Sequence, residues 1–172
     1  MFSIACRIPE GQYESLKQPH AAADHLFISG YFLVSGEYGK YGYIPDGEIT
    51  ADESGWFVIS DILESLGKVF AALQKGRYAA FIDIDTISTY IQFELIGNMV
   101  EVSEISIDDK SSFFLHEKLE QSRLVQKIAL VSLDELLDEI KRFSLNLLAN
   151  ILEVNPEYSQ ARLFKEFDKI LN

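Results

Sequence analysis

Asp83 and Asp85 flank Ile84 within a run of strand-forming residues. Two positions apart on a strand, both carboxylates point to one face. With Glu94 on a neighbouring strand they would offer the oxygen set that binds Mg²⁺. The nuclease-type continuation is missing, because Leu95 and Ile96 follow Glu94 and no lysine stands two residues on. The other readings are an acidic edge that discourages strand pairing between molecules, and a face that binds a basic protein.

Three further patterns invite chemistry. Gly36, Gly39 and Gly42 are spaced by three, but Tyr43-Ile44-Pro45 follows where a dinucleotide fingerprint would open a helix. They read as turn glycines. Ser65-Leu66-Gly67-Lys68 matches the Ser-x-x-Lys of penicillin-recognising enzymes without their companion motifs. His20, Asp24 and His25 lie close together, yet the only other histidine is the distant His116, so a zinc set lacks defined spacing. A solvated polar segment is the simpler reading. No residue pattern calls for a cofactor.

The distribution of charge is the stronger signal. Between Arg77 and Lys110 stand Asp83, Asp85, Glu94, Glu101, Glu104, Asp108 and Asp109, with no lysine or arginine. From Glu37 to Glu64 seven carboxylates, Glu48 and Asp52 among them, face the single Lys40. The whole chain carries −12 over 172 residues. Like charges this dense cost the fold stability, and a cationic partner would relieve them. Tyr31, Tyr38, Tyr41, Tyr43 and Trp56 cluster by the same glycine-rich stretch; they are either core packing or the aromatic anchors of an interface. The expected partner-binding set is therefore Asp83, Asp85, Glu94, Glu101, Glu104, Tyr38, Tyr41, Tyr43, Glu48 and Asp52.

The elements that would hold these residues are legible in the hydropathy pattern. Phe2, Ile4, Cys6 and Ile8 alternate with smaller or polar residues, which predicts a strand with Cys6 packed inside. Leu26–Val34 reads as a second strand, and 36–47 as a long loop or irregular hairpin. Ile59, Ile62, Leu63, Leu66, Val69, Phe70 and Leu73 have helical spacing, with Ser54 or Ser60 as cap and Gly76 at the close. Strands follow at 78–84, 89–96 and 99–107, the last two joined by Gly97-Asn98. Residues 108–123 are ambiguous between a short helix and irregular chain, and 125–131 is a final strand. Ser132 with Glu135 forms a capping box for a helix to about Val154, covered on two sides. Asn155-Pro156 breaks it before a last helix over 157–171. The sum is an α+β fold, one domain over 1–172. It has a mainly antiparallel sheet of five to six strands, backed by helices, two of them C-terminal.

Composition narrows the function. A hydrophobic fraction of 48% with 24% charged residues describes a globular chain with a real core. Nucleic acid and anionic membrane surfaces are disfavoured as direct ligands for want of a basic face. One cysteine precludes an intrachain disulfide, no leader-like segment is seen, and no apolar run approaches a bilayer span. A cytoplasmic location is expected.

A small acidic α+β chain with no catalytic constellation resembles the immunity proteins of bacterial polymorphic and contact-dependent growth inhibition toxins. The likeness runs along the whole chain: the Trp56-led helix, the strand Phe81-Ile82-Asp83-Ile84-Asp85, and Val131-Ser132-Leu133-Asp134-Glu135-Leu136 opening the long helix before Asn155-Pro156-Glu157. The resemblance implies a binding protein, not an enzyme, that covers the active site of a cognate toxin, often a basic nuclease. It transfers no residue role; the alternative readings are a metal-dependent enzyme using the Asp83/Asp85 edge and a regulatory or scaffold protein-binding domain.

Overall fold

The alternation of Phe2 and Ile4 with polar neighbours does make the first strand, β1 (Ser3–Arg7). In the computed structural model, which describes residues 1–17, 26–50, 57–82, 88–108 and 112–171, it is followed by a short helix α1 (Glu10–Leu16) and β2 (Ser29–Ser35). β1 lies antiparallel to β2 with Cys6 opposite Phe32. On its other edge β2 pairs with β3 (Lys40–Tyr43), and the start of β2 pairs with β4 (Phe57–Val58), making a four-stranded sheet. Helix α2 (Ile59–Leu73) then leads to β5 (Ala79–Ile82), β6 (Thr89–Ile96), β7 (Met99–Ser106), β8 (Phe114–Leu115) and β9 (Arg123–Ser132). These five form an antiparallel sheet ordered β8-β5-β6-β7-β9. α3 (Leu133–Val154) and α4 (Arg162–Leu171) end the chain, joined by a 3-10 turn over Pro156–Gln160.

The fold is thus α+β, with two antiparallel sheets where one was expected. The added strands are short. β4 and β8 have two residues each and β3 has four, too few for a period-two pattern to register. β8 lies in the ambiguous 108–123 region and pairs Phe114 with Phe81, and among the described residues of that region no helix forms.

α2 packs on β2 and β5, and α3 on β1, β7 and β9, so the two helices bridge both sheets around one core. Phe32, Val34, Ile59, Leu63, Leu66, Phe81, Ile91, Phe93, Leu136, Ile140 and Ile151 fill it. The outer face of the five-stranded sheet carries a second, smaller core. There Ala80, Ile82, Tyr90, Ile105 and Ile107 are covered by Leu115 and Leu119 from the segment after β7.

Helix starts follow two different solutions. At α3 the expected cap is present, with the Ser132 hydroxyl accepting the Glu135 N–H at 3.2 Å. α2 begins without a side-chain cap, at Val58. Its first N–H, from Ile59, goes instead to the Ile28 carbonyl at 2.7 Å, while the Ile28 N–H reaches the Ser60 hydroxyl. Ser54 lies outside the described residues. Gly76 takes a φ of +64° just beyond α2, the left-handed turn expected of it. On α3, Leu136, Ile140, Phe143, Leu147, Leu148 and Ile151 are buried, whereas Leu145 is exposed.

Candidate functional site

Placing the expected partner-binding residues divides them. Glu94 and Glu101 face each other across β6 and β7, on the outer side of the five-stranded sheet. Two carboxylates directly opposite repel. The fold answers with two lysines distant in sequence: Lys118 reaches Glu94 at 2.6 Å and Lys127 reaches Glu101 at 2.5 Å. Asp108 is held in the same way by Arg123. The acidic stretch that lacks bases along the sequence is therefore compensated in space at three of its described positions, a correction to the reading of 78–109 as uncompensated.

Behind Glu94 runs a buried polar chain. The Tyr78 hydroxyl donates to Gln92 Oε1 at 3.0 Å, and Gln92 Nε2 donates to Ser103 Oγ at 2.9 Å and towards Glu94. Gln92 and Ser103 are buried. Desolvation, then the nearby Glu94 charge, pushes the Tyr78 hydroxyl well above its usual range. Such a phenol stays protonated and donating, which suits a structural network.

Glu104 lies on the opposite face from Glu101, opposite buried Ile91. It accepts from Gln126 Nε2 at 2.6 Å, and the same amide donates to the Lys40 carbonyl. It ties the two sheets together. Tyr41 is a second correction. At 7% exposure it belongs to the core, edge-on to Phe57, so its ring is not available to a partner. Tyr38 and Tyr43, at 59% and 57%, are on the surface at opposite ends of the hairpin. Tyr43 leans on Tyr31, and the loop after it is fixed by Arg7, which donates to the carbonyls of Pro45 and Gly47. Asp46 and Glu48 are exposed on that loop. Asp52, Asp83 and Asp85, with Trp56, His20, Asp24 and His25, lie outside the described residues. Among the described residues no group of three His, Cys, Asp or Glu could hold a metal ion.

Sequence reasoning gave little weight to the exposed face of α2. Asp61, Glu64, Ser65 and Lys68 form a ridge there, with a cleft on each side. One, of about 350 Å³, runs from the ridge to Val58, Ile82 and Phe113. The other, of about 310 Å³, lies towards Phe27, Arg162 and Glu166. Phe113 and Phe27 are 73% and 66% exposed, unusual for phenylalanine. Lys68 is drawn to Glu64 at 2.7 Å, so the Ser65/Lys68 pair reads as a salt-bridged helix face; its lysine is engaged as a cation, unlike a catalytic base. Asp61 sits between the clefts. Partial burial, then the neighbouring Glu64 charge, raises its carboxyl above the usual range, with Lys68 opposing. The signal in the sequence was the helical spacing of Asp61, Glu64, Ser65 and Lys68, opposite the buried stripe.

Comparison of the chain with protein-family models, with curated proteins and with solved structures finds no match. Among the described residues, no helix is long and apolar enough to cross a membrane.

Proposed function

We propose that this protein binds and neutralises a basic partner protein, a toxin domain, in the cytoplasm, as an immunity protein does. The contact is made by the acidic surface of the 37–64 stretch. One observation carries the choice of surface. The fold spends its nearby cations on Glu94, Glu101 and Asp108, while Glu37, Asp46, Glu48 and Asp61 have no ion pair among the described residues. Exposed carboxylates without an ion pair attract a cationic partner and speed its encounter. Exposed Tyr38, Tyr43 and Phe113 supply the apolar anchors that such contacts need.

The test is co-purification with the product of the neighbouring gene, followed by association rates at low and high salt. Exposed charges are screened over about 10 Å at 0.1 M ionic strength, so the rate is expected to fall steeply with salt. Salt-independent association would overturn the role of the acids. Turnover of a substrate with Mg²⁺ by the purified protein would replace the binding reading with an enzymatic one.

A further inference from the structure

The geometry points to an arginine side chain of the basic partner as the group that enters the cleft between Asp61 and Phe113. This deepens the binding role proposed above and rests on it. The cleft offers a carboxylate on one wall, the exposed Phe113 ring on another, and apolar Val58, Ile62 and Ile82 as lining. Arginine suits all three. Its guanidinium bonds a carboxylate in a planar fork, stacks on an aromatic face, and its stem covers apolar surface. Lysine provides the charge but not the fork or the stack.

The chain itself shows that this ridge accommodates a guanidinium. On the far side of α2, Arg162 sits between Glu166 at 3.0 Å and Glu64 at 3.9 Å, in the cleft that Phe27 borders. The near side has the same components, a ridge carboxylate and an exposed phenylalanine; Lys68 also lines it, its charge paired with Glu64. Asp61 makes no ion pair among the described residues. An incoming arginine would give it one, beside the apolar lining of the cleft.

The test uses the full-length protein and two hexapeptide amides, acetylated at the N-terminus and equal in charge, one alternating arginine with glycine and the other lysine with glycine. Amide and aromatic NMR shifts are followed during titration. The expected result is shifts concentrated at Asp61, Ser65, Ile82 and Phe113, with the arginine peptide binding at least threefold more tightly. Phe113→Ala, a change at an exposed ring, should remove that preference, and Asp61→Asn should weaken both peptides at least threefold. Equal binding of the two peptides would overturn the inference. So would shifts spread as strongly over Asp46, Glu48, Glu117 and Glu120. A basic protein partner that binds with salt dependence but ignores Phe113→Ala and Asp61→Asn would leave the general binding role standing and remove this site alone. Peptide binding with no basic protein partner would do the reverse.

Discussion

Tyr38 donates its backbone N–H to the carbonyl of Ile128 at 3.0 Å, and that bond joins the two sheets. β9 bulges at that residue. Val102 pairs with Ala129 and Ser103 with Lys127, which leaves Ile128 as the extra residue, its carbonyl turned out of the ladder and its side chain in the core. The hairpin turn before β3 approaches closely enough to use it only because glycines stand there. A Cβ on Gly36 would lie 2.4 Å from the Ile128 oxygen, and one on Gly39 2.8 Å from that of Lys127.

Gly36→Ala should therefore destabilise the protein by about 1–3 kcal/mol, the usual cost of overpacking, since both clashing groups belong to a packed strand. Gly47→Ala is the control, because a Cβ there meets nothing within 4 Å. Denaturant melts of the two variants make the comparison. Equal midpoints would mean the hairpin can lift from β9 at no cost.

Glu139 closes the open edge of β1. It accepts the Ile4 N–H at 2.6 Å, and Arg142, paired with it, donates to the Ile4 carbonyl at 3.3 Å. An exposed strand edge invites pairing with other chains, and here α3 side chains cover it. Glu139→Ala should cost about 1–3 kcal/mol through the unsatisfied N–H, and should raise aggregation during thermal melts monitored by light scattering. Glu139→Gln keeps an acceptor and should lose less. If the alanine variant melts like the parent, water serves Ile4 equally well.

Local signals carried much of this fold. The Ser132 cap, the Phe2/Ile4 alternation and the Gly97-Asn98 turn each act within a few residues, so the chain spells them out. The pairing of acids could not be read in this way. Lys118 and Lys127 meet Glu94 and Glu101 only through the β9 register and the fold-over of the segment before it, contacts more than twenty residues apart. Tyr41 was ambiguous because residues two apart on a strand share a face, yet Tyr41 is buried and Tyr43 exposed; between them Gly42, at a φ of +84°, breaks the regular strand, which no local pattern announces. The site residues were legible as a charge pattern, while their division between structural and available carboxylates was tertiary.

Cys6 is partly buried on β1, less enclosed than the strand pattern suggests, and borders a groove with Arg142 and Asn146. Desolvation still pushes its thiol up to about 11. The thiolate is the reactive form, so native protein at pH 8 should label slowly with a disulfide reagent and quickly once denatured. The same shift bears on stability. The unfolded thiol ionises first, so any contribution from this group is present below about pH 9 and is lost as pH rises towards 11. Rapid labelling of native protein at pH 8 would contradict the burial.

Asp61 should prove unfavourable to the fold that carries it. It stands in the first turn of α2, where the helix dipole favours a negative charge. Partial burial and repulsion from Glu64 nevertheless outweigh that, and its carboxyl titrates above the usual range. For an acid whose folded value is raised, protonation favours the native state. Stability is then highest below the unfolded value, falls as pH rises through the folded one, and stays lower at neutrality. Asp61→Asn should accordingly melt at or slightly above the parent at pH 7, with the difference shrinking as pH drops through the carboxylate range. Stability gained by removing a residue is a mark of sites kept for function. The same variant should bind a basic partner more weakly, and thermal melts at several pH values with binding measured in parallel decide the matter. If Asp61→Asn melts well below the parent at pH 7, the carboxylate is a structural cap of α2, and its place in a docking surface loses this support.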